Sequence, residues 1–333
     1  MSCMIVAELS ANHNHSLEIA KESIRAIART GADAVKLQTY RPESLTLNCD
    51  AEDFRLKGGL WDGRVLYDLY REACTPYEWH QELYELAHAE GLECFSTPFD
   101  LEAVDLLESL DNPVYKIASF EIAHLDLIRY AAAKGKPMVI STGIASEREI
   151  DEAISACRSV GNEDVTLLKC TSAYPARIED ARLGMIPRMR ERFGVKVGLS
   201  DHSPGSMLPV MSVALGGVMI EKHFILDRKI GGPDAAFSMD CEEFAAMVRD
   251  VRQAEAAMEY GNGEYNEESL DVAGRQYARS LYASRPIKKG EIYTRENVAC
   301  VRPGFGLHPR HLTSILGTPA PCDLLPGSRI LKP

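Results

Sequence analysis

Eight short apolar runs recur along the first two thirds of the chain, separated by segments of helical texture, and this alternation constrains the fold more than any other feature. The runs are residues 4–9, 34–39, 93–96, 114–118, 137–141, 165–169, 196–200 and 218–222. Each is nearly continuous in hydrophobic residues, the pattern of parallel strands covered on both faces. The intervening segments carry helix start and stop signals. Ser16 precedes a stripe of Leu17, Ala20, Ile24 and Ile27, and Gly31 stands just past its end. Thr75-Pro76 puts a proline in a first turn before Gly91, and Ser146 opens a helix that runs towards Gly161. Eight β/α units in about 250 residues predict an α/β fold, the (β/α)8 TIM barrel. The rival, a doubly wound open sheet, wants a glycine-rich loop after its first strand. Residues 8–13 (ELSANH) contain no glycine.

The texture changes towards the C-terminus. Residues 240–258 read as a final helix, and a polar, glycine-containing stretch follows. From about Ala278 short strands and turns take over, including two similar turns at 287–292 (IKKGEI) and 325–330 (LPGSRI). The expected organisation is a barrel over 1–258, a linker over 259–277 and a small β-rich domain over 278–333. About 55 residues is near the lower limit for independent stability, so this domain is expected to pack on a barrel. Residues 40–74 read as one long loop, of the kind barrels use for function.

The function classes narrow from composition. With 37 Lys and Arg against 49 Asp and Glu, net charge is −12 without a basic stripe, which argues against nucleic acid. No apolar run approaches the ~20 residues of a membrane span, and residues 1–4 (MSCM) lead directly into a strand rather than a signal peptide. Nine cysteines, an odd count without a CxxC pair, predict reduced thiols in a cytoplasmic protein.

Polar residues end all eight strands: Glu8; Lys36 and Gln38; Ser96 and Thr97; Lys116, Ser119 and Glu121; Ser141 and Thr142; Lys169 and Thr171; Asp201 and His202; Lys222 and His223. Such groups are costly in a core but form a pocket at the top of a barrel. His202 and His223 end consecutive strands, so their imidazoles can converge on a divalent metal, Mn2+, Co2+ or Mg2+, acting as a Lewis acid. Two histidines bonded to backbone are the alternative. Lys36, Lys116, Lys169 and Lys222, with Ser119, Ser141 and Ser200, point to a doubly anionic small substrate. Glu8 and Glu121 are candidates for acid–base work or hydroxyl binding, or ion-pair partners of those lysines. Lys169 also admits a different chemistry, that of an amine nucleophile forming a Schiff base. A carbohydrate-binding barrel without catalysis is the remaining alternative.

Several stretches resemble the sialic acid synthase family. They are residues 7–13 (AELSANH), 35–39 (VKLQT), 95–99 (FSTPF), 115–119 (YKIAS), 198–203 (GLSDHS), 220–224 (IEKHF) and 232–240 (GPDAAFSMD). Residues 278–282 (ARSLY) and 301–306 (VRPGFG) are similar to its antifreeze-protein-like, or SAF, domain. The resemblance implies condensation of phosphoenolpyruvate with the open-chain aldehyde of an N-acetylated amino sugar, releasing phosphate and forming a nonulosonic acid. It assigns His202 and His223 to the metal, and Lys36, Thr97, Lys116, Ser119, Ser141, Ser172 and Ser200 to phosphoenolpyruvate. It turns Glu8, Gln38, Tyr174 and Asp234 towards the sugar and makes Glu121 a candidate base for the attacking water. It implies that Arg302 is lent to a partner's site in a domain-swapped homodimer. Neuraminate-type members carry asparagine where Ser172 follows Cys170-Thr171. That departure, with residues 57–62 (KGGLWD) and 75–80 (TPYEWH), resembles the branch that makes pseudaminic acid from a 2,4-diacetamido-2,4,6-trideoxy hexose. N-acetylneuraminate and legionaminate are the alternative products.

Overall fold

The computed structural model describes residues 2–259 and 274–331. The strands are β1 (Met4–Glu8), β2 (Ala34–Thr39), β3 (Glu93–Pro98), β4 (Tyr115–Ile117), β5 (Met138–Ser141), β6 (Val165–Cys170), β7 (Lys196–Asp201) and β8 (Met219–His223). They close in sequence order into one barrel. Parallel pairing of Glu8 with Lys36 on one side and with His223 on the other seals first strand to last. The expected strands are all present, β2 at the expected bounds and the others with ends shifted by one or two residues.

Alternation along the strands sorts side chains into two populations. Val6, Ala34, Phe95, Val114, Val139, Leu168 and Met219 form an inner apolar cluster. Ile5, Val35, Ile117, Ile140, Leu167 and Ile220 belong instead to the large core. That core also takes in helix residues such as Ile24, Ile27, Val104 and Ile128, so its strand residues face the helical ring. Two residues further along each strand the inward position repeats, and there it is polar: Glu8, Lys36, Thr97, Lys116, Ser141, Cys170 and Glu221. The apolar cluster is therefore a floor, and the next layer up is chemistry.

The helices begin and end where local signals place them. In α1 (Leu17–Thr30) the Ser16 hydroxyl accepts from the Ile19 N–H, and Gly31 takes the left-handed conformation (φ +83°) that ends the helix. The segment expected as one long loop is more structured. It contains α2 (Pro42–Leu45) and α3 (Leu66–Ala73), with an antiparallel bridge between Arg55 and Val65 in between. At four and eight residues, these helices are too short for periodicity to stand out.

Further along, α4 (His80–Ala89), α5 (Leu101–Ser109) and α6 (Leu125–Ala132) are followed by α7 (Glu147–Arg158). Ser146 and Glu149 form a reciprocal capping box at the start of α7. The barrel ends with α8 (Met185–Phe193), α9 (Met207–Ala214) and α10 (Cys241–Glu259).

The chain divides into two compact units, Met1–Tyr260 and Gly261–Pro333. The expected linker lies largely outside the described residues. In the second unit β9 (Ser280–Ala283) pairs antiparallel with β10 (Val298–Val301). A core of Leu281, Ile287, Val298, Leu307, Ile315 and Ile330 packs around them. The two similar turns share one device: Gly290 (φ +85°) and Gly327 (φ +83°) both adopt the left-handed conformation. No helix among the described residues is long and apolar enough to cross a membrane. All nine cysteines are free thiols.

A buried histidine ties the β1–α1 loop to the insertion before α4. His13 is fully buried; its Nδ1 accepts the His15 N–H at 3.1 Å and its Nε2 stands 3.0 Å from the Thr75 hydroxyl. Burial, reinforced by His15 and His80, pushes its pKa down to about 4. The unfolded chain therefore binds a proton that the folded chain refuses between pH 6.5 and about 4, and stability falls as pH drops through that window. At pH 5 the loss should be about 2 kcal/mol. Urea melts at pH 7.5 and pH 5 should show the wild type losing that much more than His13→Gln. Equal losses would remove His13 as the cause.

Candidate active site

Above the apolar floor the barrel holds two lysines and two glutamates, all four buried. Lys36 Nζ pairs with Glu8, lies 3.2 Å from the Thr97 hydroxyl and 3.8 Å from Glu221 Oε2. Lys116 Nζ donates to the Ser141 hydroxyl at 2.7 Å and lies 3.9 Å from the same Glu221 oxygen. The Ser200 hydroxyl donates to the other Glu221 oxygen at 3.2 Å. Glu221 was not among the residues singled out in the sequence, where Lys222 was read instead. The signal was available: Met219, Glu221 and His223 share one strand face, and Lys222 lies on the other.

The carboxylates differ. Burial pushes the Glu8 carboxyl up to about 7 against the pull of Lys36. Burial acts on Glu221 in the same direction, but Lys116 and Lys36 outweigh it and hold that carboxyl below its ordinary range. Glu8 is thus the first of the two to take a proton, while Glu221 stays ionised between two ammonium groups. Lys36, opposed by burial, is held above its ordinary value by Glu221 and Glu8.

Over this set lies a cavity of about 60 Å³. Glu8, Lys36, Gln38, Thr97, Lys116, Ser141, Ser200, Glu221 and His223 line it from the strands, joined by Ser119, Tyr174 and His202. A larger, adjoining cavity of about 530 Å³ shares His202 and is bounded by Phe237 and by the loops after β6 and β7. Gln38 links the polar groups laterally, donating to Glu8 and to the Ser10 hydroxyl at 3.0 Å each. Ser10 in turn donates to Asp234 at 2.5 Å.

The two histidines stand with ring centroids 5.2 Å apart. His202 Nδ1 donates to the Thr171 carbonyl at 3.1 Å, which fixes the tautomer and leaves Nε2 its lone pair. His223 Nδ1 is buried without a hydrogen bond, 3.7 Å from Asp234 Oδ2. Burial, with His202 beside it, pushes His223 well below its usual range, so the ring is neutral. Two neutral-capable imidazoles, one with an orphaned buried nitrogen, fit a divalent ion that keeps open positions. Among the described residues no group of three His, Cys, Asp or Glu side chains gathers as a metal site. The remaining ligands would therefore come from water or substrate.

Three expected residues stand just outside the cavity wall. Ser172 donates to Ser119 at 3.0 Å, and Ser119 accepts the Ile144 N–H at 3.0 Å. A Cβ at Gly143 would lie 2.1 Å from the Ser172 hydroxyl, so the two loops meet only because this residue is glycine. Glu121 carries a buried oxygen without a partner, and burial pushes its pKa up to about 7 against Lys116. Asp234 is the third, held by Ser10. Arg302 belongs to the second unit and is exposed there.

Strand parity corrects part of the lysine reading. Lys169 Nζ donates to the Cys170 carbonyl at 2.7 Å and to the Thr171 hydroxyl at 3.2 Å. Lys222 Nζ pairs with Asp201 Oδ2 at 2.6 Å. Both sit on strand faces opposite the inward residues, as do Ser96 and Asp201, so Lys36 and Lys116 are the only two of the four lysines in the cavity wall. The same placement removes Lys169 as an amine nucleophile for a substrate in this cavity.

Comparisons with known proteins agree with this geometry. The NeuB family model matches residues 23–263, and the SAF domain model matches residues 278–333. The chain is 53% identical to the pseudaminic acid synthase of Campylobacter jejuni over 96% of its length and 93% of that protein's. It is 52% identical to the pseudaminic acid synthase of Helicobacter pylori over 95% and 93% of the two chains. Among solved structures it is similar to the N-acetylneuraminic acid synthetase of Leptospira borgpetersenii, with a TM-score of 0.72 and 28% identity over 80% of this chain and 89% of that one. With a matching model across most of the barrel and relatives of this identity along nearly the whole chain, the protein belongs to the NeuB family and carries a SAF domain.

Proposed function

We propose that this chain condenses phosphoenolpyruvate with the open-chain aldehyde of 2,4-diacetamido-2,4,6-trideoxy-altrose, giving pseudaminic acid and phosphate. The observation that carries the reading is the pair of buried ammonium groups, Lys36 and Lys116, ringed by hydroxyls in the cavity that also holds His202 and His223. The names of the two bacterial relatives at 52–53% identity support the choice of product.

In this reading Lys36 and Lys116, with Thr97, Ser119, Ser141 and Ser200, receive the phosphate and carboxylate oxygens. Ser172 acts through the Ser119 hydroxyl it supports. Glu8, Gln38, Tyr174 and Asp234 hold the sugar. C3 of phosphoenolpyruvate forms a bond to the aldehyde carbon, whose oxygen takes up a proton. Water then adds at C2, and loss of inorganic phosphate leaves the 2-keto acid. Glu121, with a pKa near 7, is suited to take the proton of that water. A divalent ion held by His202 and His223, one of Mn2+, Co2+ or Mg2+, supplies Lewis acidity towards the aldehyde oxygen. We place the enzyme in the cytoplasm, where nine free thiols stay reduced. We further propose a domain-swapped homodimer in which Arg302 of the small domain serves the partner's site.

Product identification by mass and NMR tests the reading. The trideoxy diacetamido hexose should be consumed with phosphate release and N-acetylmannosamine should not. EDTA should abolish turnover, Mn2+ should restore it, and borohydride should trap nothing on Lys169. A neuraminate or legionaminate product would move the chain to another branch, and no phosphate release with any hexose and metal would leave a binding protein.

Glu121→Gln should lower kcat by roughly 10²–10⁴-fold. Glu121 loses its proton as pH rises through about 7, so wild-type kcat should fall on the acid side of that value. The variant should lack that limb. An unchanged profile would assign the base elsewhere. Arg302→Ala should raise the sugar KM while leaving the circular dichroism spectrum unchanged, and wild-type kinetics would overturn its role.

A further inference from the structure

The segment between Arg55 and Val65 is built as a finger. Leu56 N–H donates to the Arg64 carbonyl and Gly63 N–H to the Leu56 carbonyl, both at 2.9 Å, which closes its two legs. Gly58 (φ +77°) and Gly59 (φ +73°) make the tip, where Asp62 accepts the Gly58 N–H at 2.5 Å. This construction presents Trp61, whose indole N–H donates to the Pro233 carbonyl at 3.1 Å. The same indole tilts against the Tyr174 ring with centroids 5.8 Å apart.

Trp61 therefore touches two loops, one after β6 and one after β8. Tyr174 follows β6 and packs on His202 at 4.5 Å, and Pro233 immediately precedes Asp234 in the loop after β8. Neither loop is held by the strands' hydrogen-bond ladder. Most of the phosphoenolpyruvate groups differ: Lys36, Thr97, Lys116, Ser141 and Ser200 sit on strands, and only Ser119 and Ser172 do not. A contact that ties Tyr174 to the Asp234 segment acts on the loop-borne part of the sugar site, while Lys36 and Lys116 are fixed independently by their strands.

We propose that Trp61 is a positioning residue for sugar recognition, a clamp that fixes Tyr174 relative to Asp234. The proposal rests on the reading that these two residues face an amino sugar. The clamp combines a hydrogen bond to a backbone carbonyl with an aromatic contact, and loss of the pair should weaken sugar binding by roughly 10–100-fold. It gives a role to a finger whose tip turns on two left-handed glycines.

The test uses the full-length enzyme and the trideoxy diacetamido hexose. Trp61→Ala should raise the sugar KM roughly 10–100-fold, with the phosphoenolpyruvate KM within about twofold. Trp61→Phe, which keeps a ring but not the N–H, should fall between the two. An unchanged sugar KM in the alanine variant, or equal rises in both KM values, would overturn the clamp. Hydrogen–deuterium exchange without substrate gives a readout that does not depend on the reaction. Residues 172–176 and 232–236 should exchange faster in both variants than in the wild type, and unchanged exchange in both would overturn the clamp. A wild type inert towards the hexose but with faster exchange in the variants would sink the substrate reading alone.

Discussion

The position of Glu221 between Lys36 and Lys116 is the interaction on which the upper barrel depends. One carboxylate oxygen lies 3.8 Å from one ammonium and 3.9 Å from the other, with all three side chains nearly excluded from solvent. An isolated buried ammonium costs several kcal/mol, and two in one cavity repel as well. Glu221, with Glu8 as second counter-charge, holds Lys36 above its ordinary value and opposes the burial that lowers Lys116. The arrangement also separates the carboxylates: one is kept ionised by flanking cations, and the other is left near its titration point at neutral pH. Pairs pushed apart in this way commonly mark catalytic sites.

That charge set stands on a floor of apolar residues contributed by alternate positions of the same strands. Side chains placed on strands inherit the rigidity of the closed ladder. Tyr174, Asp234 and the finger bearing Trp61 lie instead on loops.

Much of this was legible from residues alone. The eight apolar runs, the caps at Ser16 and Ser146, and the left-handed glycine at Gly31 are local features, and local physics decides them. Histidines ending two consecutive strands pointed to one another correctly, and their rings stand 5.2 Å apart. The lysine reading was less accurate, because being near a strand end is not the same as facing inward. Lys169 and Lys222 differ from Lys36 and Lys116 only in parity, and parity follows from register once the barrel closes. The short helices in the insertion escaped notice because neither spans enough turns to show a stripe.

The sequence by itself determined the order of strands and helices, the capping of those helices and the inventory of groups able to bind anions, sugars and a metal. These follow from periodicity of two or 3.6 residues and from side-chain chemistry, both of which act within a few positions. Only the tertiary structure decided which of those groups share a cavity. Closing the barrel turned Glu221 inward between two lysines, turned Lys222 out towards Asp201, and brought Trp61 against a loop more than 100 residues away at Tyr174. No local preference distinguishes these outcomes. They depend on alternation counted from a common floor and on distances that exist only after first strand has paired with last.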